Sequence, residues 1–593
     1  MNDPKAEYER RLALGRDRVE QLDRRHLVIS NLRLALFVTF TVILWLALAR
    51  SVLSAAWVLA PALAFGMLLV VHARLLNRTE RSRRAYRLYE RGLARLEGRW
   101  AGVGSDGQRF LADHPYARDL DLFGRGSLFE LVNSARTEAG EATLADWLKQ
   151  GSGVDEVRAR QAAVDELRHR LDFREDLAVL AAEGVVSRTG TVAAWAASAP
   201  VGVPLAVSLL LAACAAVLIV VTGLAYDDRV PWSLVIGWLL VEAAVARWTR
   251  RLTDVVARRV GRPAEDLAIM AELLARIEGE PVEAARLQAV RASLEAGGVR
   301  ASLAIGRLTR MVSLRESSMH NLLFMPLTTA LFVPDQLAVA IDRWHRRHGP
   351  AVAEWLRAVG ELEALASIAT YAYEHPADPF PILENEGPVF HADALGHPLM
   401  MDAASVPNDV RLGGDAARVI VVSGSNMSGK STFLRSIGTN VVLALAGAPV
   451  RARALRLSPL ALGATLRIED SLQAGHSRFF AEILRIRAIV DLARQPVPLL
   501  FLLDEILHGT NSYDRRIGAE GIVRALTGYG AIGVITTHDL ALTELPSRLG
   551  SAINMHFEDR LENGAMVFDY RIRPGIVEHS NALALMRAIG LDV

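Results

Sequence analysis

The residues best suited to chemistry stand in one stretch, Arg418 to Thr432, reading RVIVVSGSNMSGKST. A β-branched run, Val419 to Val422, stops at Gly424 and enters GSNMSGKS, which satisfies the phosphate-loop pattern G-x-x-x-x-G-K-[ST]. The context that pattern needs surrounds it: a strand-like run before, and helical periodicity from Thr432 to Leu445 after. Gly424 and Gly429 allow a tight turn, so that successive N–H groups and the positive end of the helix face the β-phosphate of a nucleotide. Lys430 then reaches the β/γ oxygens and Ser431 binds Mg²⁺. The binding loop expected is Gly424, Ser425, Asn426, Met427, Ser428, Gly429, Lys430, Ser431 and Thr432. A plain Gly/Ser turn is the alternative, and the pieces that follow in order argue against it.

The first of these is VPLLFLLDEILHGTNSYD from Val497. An apolar run up to Asp504 and Glu505 reads as a strand buried on both faces, which delivers two carboxylates to the carboxyl end of a parallel sheet. There Asp504 holds Mg²⁺ through water, and Glu505 orients or deprotonates an attacking water. A further apolar strand, AIGVITTHD from Ala531, ends at His538. A lone histidine is most often structural; this one stands downstream of an Asp-Glu pair.

The elements that must position these groups fill 593 residues, enough for three or four structural units. The formal charge of +1 argues against a broadly basic, nucleic-acid-coating surface. The single cysteine, Cys214, excludes an intrachain disulfide and a cysteine-cluster metal site. Apolar residues concentrate in two pairs of runs, Leu32–Ala49 with Val52–Ala73 and Val201–Tyr226 with Val230–Ala246. The first three match the roughly 17 to 25 residues a bilayer crossing needs. The fourth is short, carries Glu242, and reads alternatively as a buried helical hairpin. Basic residues crowd the ends of each pair, with Arg10, Arg24 and Arg25 before the first and Arg74, Arg78 and Arg81 after it, whereas the connections are poor in them. The positive-inside tendency then leaves both hairpin tips outside and the nucleotide site in the cytoplasm, in a multi-pass protein of the inner or plasma membrane. The basic stretch Arg74–Arg99 reads as a helix leaving the membrane rather than as a nucleic-acid patch.

Between and after the hairpins the apolar spacing is helical. Leu128, Phe129 and Asn133, then Thr137 and Gly140, then Arg160, Gln161, Val164 and Leu167 resemble the opening of the MutS core domain. Glu361, Leu362, Leu365 and Ala369 resemble the segment that leads from the MutS lever helices into its ATPase. From Leu395 onward the likeness is strongest: LGHPLM, VPNDV, the phosphate loop, and then Asp470, Leu472, Gly475, Ser477, Phe479 and Glu482, which fill the MutS signature Asp-x-Leu-x-x-Gly-x-Ser-x-Phe-x-x-Glu. Gly509, Thr510, Ser512, Tyr513 and Asp514 match a further run, and SNALALMRAIGL from Ser580 resembles the closing helix.

The resemblance implies an α/β P-loop ATPase of the ABC type at the C-terminus, using ATP and Mg²⁺, preceded by an all-α core and lever region that two transmembrane hairpins interrupt. It implies a homodimer in which Ser477 of one protomer faces the γ-phosphate held by the other, and it makes His538 the residue that senses that phosphate. The organisation expected is a basic N-terminal segment (1–31), hairpins at 32–73 and 201–246, helical regions at 74–200 and 247–380, and the ATPase at 381–593. DNA is the partner the family suggests. The likeness stops short of mismatch recognition, since membrane helices stand where relatives carry a mismatch-reading Phe-x-Glu wedge, and Ser405 stands where relatives often place an adenine-stacking aromatic. A transporter is a second reading, disfavoured by apolar segments with few interior polar groups and by the missing Leu-Ser-Gly-Gly-Gln signature. A non-hydrolysing scaffold is a third, disfavoured by the presence of Lys430, Asp504, Glu505 and His538.

Overall fold

The computed structural model describes residues 3–48, 54–112, 114–182, 189–260, 264–295, 298–321, 324–401, 404–425, 427–467, 478–562 and 565–577. The chain divides into two compact units that interleave along the sequence: 1–99, 171–280 and 294–356 form one, and 100–170, 281–293 and 357–593 the other.

The first unit is helical. Helices Pro4–Leu48 and Leu59–Leu96 run antiparallel, as ring contacts between Tyr8 and Tyr89, His26 and His72, and Phe37 and Phe65 establish. The basic N-terminal segment is therefore continuous with the first apolar run, because no proline follows Pro4 before Leu48 and the one glycine, Gly15, is tolerated within a long run of good helix formers. The Arg-rich stretch after Arg74 likewise continues the second helix. Leu205–Tyr226 and Trp232–Val260 form another hairpin, joined where Trp238 Nε1 donates to the Cys214 carbonyl at 3.1 Å. Among the described residues, three helices are long and apolar enough to cross a membrane: Pro4–Leu48, Leu59–Leu96 and Leu205–Tyr226. The fourth apolar run lies in Trp232–Val260, outside that set.

The second unit holds both sheets. Strands β1 (Ile382–Leu383), β2 (Val389–Leu395), β3 (Asn408–Gly413) and β5 (Ala454–Leu457) make a four-stranded sheet in the order β1-β5-β2-β3. The other six are β4 (Val419–Ser423), β6 (Ala461–Thr465), β7 (Leu499–Leu503), β8 (Ile532–Thr537), β9 (Ala552–Glu562) and β10 (Ala565–Pro574), in the order β10-β9-β4-β8-β7-β6. All neighbours in this sheet are parallel except β9 and β10. Strands β4, β7 and β8 are buried at every residue, as their unbroken apolar runs predict for a sheet covered on both faces.

Helices from the core region pack in this unit too. Helix Glu138–Lys149 starts at Thr137, whose hydroxyl caps the Gly140 amide, and it lies close against the end of the long helix Val333–Glu374. A Cβ on Gly360 would come within 2.8 Å of the Ala139 backbone, and one on Gly140 within 2.8 Å of the Glu363 Cβ. Those two glycines permit the approach. Glu363, fully buried, accepts from the Arg136 amide at 2.9 Å and from the Thr137 hydroxyl, which tethers the turn before that helix.

Candidate functional site

Strand β4 lies between β8 and β9, and its carboxyl end opens into the turn that leads to helix Lys430–Ala446. Met427 and Gly429 take positive φ values of 70° and 101°, which curls the loop back over the start of the helix. At Gly429 the space is closed as well, because a Cβ would sit 3.1 Å from the Tyr570 ring. No side chain caps this helix, so its first-turn N–H groups keep the capacity to bind an anion.

Lys430 is buried, and its ammonium donates to the carbonyls of Gly424 at 2.9 Å and Ser425 at 2.7 Å. Burial pushes that ammonium below the usual lysine range, opposed by the carboxylates of Glu505, Asp504 and Asp559. The Ser431 hydroxyl donates to Asp504 Oδ2 at 2.5 Å. The other oxygen of Asp504 accepts from the Thr536 hydroxyl, which itself accepts the Glu505 N–H at 3.1 Å. One side chain of β8 thereby holds the Asp504 carboxylate and the Glu505 backbone amide at the end of β7. Glu505 has φ +49° and turns its carboxylate toward two imidazoles, with Oε1 3.5 Å from His538 Nδ1 and Oε2 3.9 Å from His508 Nε2.

Two positioning residues stand behind this group. Buried Glu482 accepts the Leu507 N–H at 2.6 Å, in the turn just after the acidic pair. Arg515 donates to the carbonyls of Leu507 and His508 at 3.2 Å and of Thr510 at 3.0 Å, and also to Asp539 at 3.2 Å. It therefore ties the turn after β7 to the turn that carries His538.

A cavity of about 570 Å³ opens beside the loop, lined by His397, Ser405, Lys430, Ser431, Glu505 and Tyr570 among others. Its donors are the Lys430 ammonium, the Ser431 hydroxyl and the uncapped helix start; in the same loop the hydroxyls of Ser425 and Ser428 are buried without a hydrogen-bond partner among the described residues. Such a set fits a polyphosphate. The paired oxygens of Ser431 and Asp504 fit a hard divalent cation such as Mg²⁺.

The structure brings Gly424, Ser425, Met427, Ser428, Gly429, Lys430, Ser431, Thr432, Asp504, Glu505 and His538 to this one end of the sheet. Asn426 and Ser477 lie outside the described residues, as do most of the signature segment and the closing run from Ser580. Sequence reasoning missed Thr536, Arg515 and Tyr570. The paired threonines before His538 were the one available hint at Thr536. Tyr570 gave none: it stands at an irregularity in the β9–β10 pairing between Phe568 and Ile572, with φ +55°, and Asn408 of β3 donates to its carbonyl and accepts the Ile572 N–H.

His397 is buried at the rim of the cavity and accepts the Leu399 N–H at 3.2 Å. Burial, reinforced by the charge of Arg435, pushes its imidazole from 6.5 down to about 4. Between those two values the unfolded chain takes up a proton that the folded chain refuses, so stability is present above the window and falls as pH falls through it. His397 accounts for a loss of about 2 kcal/mol by pH 5. A Tm series from pH 7.5 to 5 is expected to slope less for His397→Asn than for the natural chain, and parallel slopes would remove this histidine from the acid response.

A family model of MutS domain V matches residues 420–592. Over 243 residues the chain is 33% identical to "DNA mismatch repair protein MutS 2" of Halobacterium salinarum, covering 40% of this chain and 27% of that relative. It is 31% identical over 248 residues to "DNA mismatch repair protein MutS" of Syntrophomonas wolfei, covering 41% and 28%, and 30% identical over 265 residues to the protein of the same name from Geobacillus thermodenitrificans, covering 44% and 28%. The chain thus spans well under a third of the length of the curated relatives it matches.

Proposed function

We propose, for a chain that belongs to the MutS family through its C-terminal domain, that it is a membrane-anchored ATPase working as a dimer, in which ATP hydrolysis drives a lever motion on DNA near the membrane. The observation that carries the ATPase part is Asp504, held between Ser431 of the loop and Thr536 of β8 with Glu505 next in line. Ser431 and Asp504 would hold Mg²⁺, which when bound neutralises charge on the β/γ-phosphates. Lys430 exchanges its two carbonyl partners for phosphate oxygens, Glu505 orients a water and takes its proton, and His538 holds the Glu505 carboxylate on the cavity side. The family resemblance supports completion of each site by Ser477 of a second protomer. The helix after it, Arg478–Ala493, is fixed to the same domain through Glu482 and Arg485.

Among the described residues that line the cavity beside the loop, Tyr570 offers the only tyrosine ring, where Ser405 offers none. We assign it the adenine-facing role. Tyr570→Ala is expected to weaken ATP binding by about 1–3 kcal/mol, roughly 5- to 150-fold in Kd, with Tyr570→Phe close to the natural chain; titration with a fluorescent ATP analogue reads both.

A second reading keeps the ATPase but replaces DNA with a membrane-side partner, and the three long apolar helices favour it. The ATPase rate of the purified full chain, measured alone and with homoduplex, mismatched and branched DNA against a Glu505→Gln blank, separates the two. Stimulation by one DNA structure that high salt removes supports DNA handling. A basal rate indifferent to every DNA supports the second reading. Absence of any rate above the blank at high protein concentration overturns the ATPase.

A further inference from the structure

We infer that the turn between helices Ala301–His320 and Val333–Glu374 enters the hydrocarbon layer beside the second apolar hairpin, as a re-entrant membrane element contacting lipid. This rests on the membrane reading proposed above and adds to it a segment that neither hydropathy nor family likeness marks. From Ser317 to Pro334 the sequence holds no Asp, Glu, Lys or Arg. It is too short and too interrupted to form a crossing helix.

Its placement within the first unit fixes its depth. Val333–Glu374 leaves the turn alongside the hairpin: Gln336 Nε2 donates to the Ser208 carbonyl at 2.8 Å, the Ser208 hydroxyl donates to Gln336 Oε1 at 2.8 Å, and the Thr253 hydroxyl donates to Asp335 at 2.7 Å. Farther along, Asp342 accepts the amides of Val201 and Val203 at 2.9 Å, at the foot of the hairpin. In the opposite direction Ala330 packs against the cluster of Leu218, Ala225 and Val235. Ser208 and Leu218 are ten residues apart on one helix, about 15 Å along its axis. The turn therefore climbs the hairpin from its charged foot toward its apolar middle. Arg250 and Arg315 lie close enough to Asp335 to interact with it electrostatically, which gathers charge at the foot; above it the hairpin carries only buried Glu242 and, at its tip, Asp227, Asp228 and Arg229.

Two features suit this segment to a medium without water. One side of it faces outward, with Phe324 53%, Leu327 59% and Met325 38% exposed, while Phe332 is buried against the protein. Among the described residues much of its backbone is meanwhile bonded from within: the amides of Phe324 and Met325 bond the Asn321 carbonyl, Thr328 bonds Phe324, Leu331 bonds Leu327, Phe332 bonds Thr329 and Gln336 bonds Phe332. Pro326 and Pro334 carry no N–H to satisfy, and the Thr328 hydroxyl closes on the Ser318 carbonyl at 2.8 Å. Internal satisfaction is what hydrocarbon demands of every backbone group and what a water-exposed loop does not need.

The test is spin-label accessibility in the full chain, with Cys214→Ala as background, reconstituted into phosphatidylethanolamine and phosphatidylglycerol vesicles. Labels go at Leu327→Cys, at Ile219→Cys on the apolar hairpin, and at Val567→Cys in β10 of the other unit as the aqueous control. Collision with oxygen and with a soluble nickel chelate is read at each, and Met325→Cys serves should Leu327→Cys not fold. The inference expects Leu327 to match Ile219, high to oxygen and at least fivefold below Val567 to nickel. Nickel access at Leu327 with a lipid signature at Ile219 overturns it and leaves the membrane reading standing. Nickel access at both overturns the two together. Low collision with both reagents at Leu327 means that protein covers the site, and that also overturns it.

Discussion

Glu505→Gln is expected to lower the proposed ATPase rate by on the order of 10²–10⁴-fold and to leave ATP binding intact. The amide keeps the volume of the side chain and its place beside His538 and His508. What it loses is the ability to take a proton from water. The backbone that aims it is unaffected, because φ +49° at this residue is held from outside, by Thr536 on one side and by Glu482 and Arg515 on the turn that follows. Phosphate release gives the rate and a fluorescent ATP analogue gives the affinity. A Glu505→Gln rate within threefold of the natural chain would remove Glu505 from the reaction. Lys430→Ala supplies the contrast, since it is expected to lose affinity as well as rate.

Asp119→Ala is expected to cost about 2–4 kcal/mol of stability, a fall of roughly 5–15 °C in Tm. Asp119 is fully buried and accepts the amides of Leu466 at 2.7 Å and Arg467 at 2.8 Å, along with a guanidinium hydrogen bond from Arg485. Removing it orphans two backbone donors and one partly buried cation. The strand end it holds, just past β6, leads directly into the signature segment, so the variant is also expected to lose any rate that rises with protein concentration. Asp119→Asn keeps one acceptor for the amides and should fall between. Scanning calorimetry on the full chain checks the order; equal Tm values for all three would show that Asp119 holds nothing in place.

Much of this site was legible in the sequence, and the reason is local. A strand, a loop of eight residues and a helix meet without help from distant chain, so GSNMSGKS announced both its context and its turn. The run up to Asp504 read as a doubly covered strand because burial on both faces leaves no polar alternation to obscure. The first hairpin was legible in its apolar runs and in the helix that continues past Arg74, but not in the segment before it, where residues that are mostly good helix formers extend the first helix back to Pro4.

What the sequence by itself determined is the inventory of chemistry: an ammonium, a hydroxyl, two carboxylates and an imidazole, each at the end of a locally specified element, and several apolar helices. Only the tertiary structure decided which groups meet. Strand order put β8 between β4 and β7, which is why Thr536 rather than a nearer residue joins Ser431, Asp504 and Glu505. The β10 irregularity, held by Asn408 from another sheet, set Tyr570 over Gly429. Burial set the direction in which Lys430 and His397 shift. These are pairings across 30 to 160 residues of chain, fixed by packing of whole elements; local spacing, which short-range sterics enforce, carries no record of them.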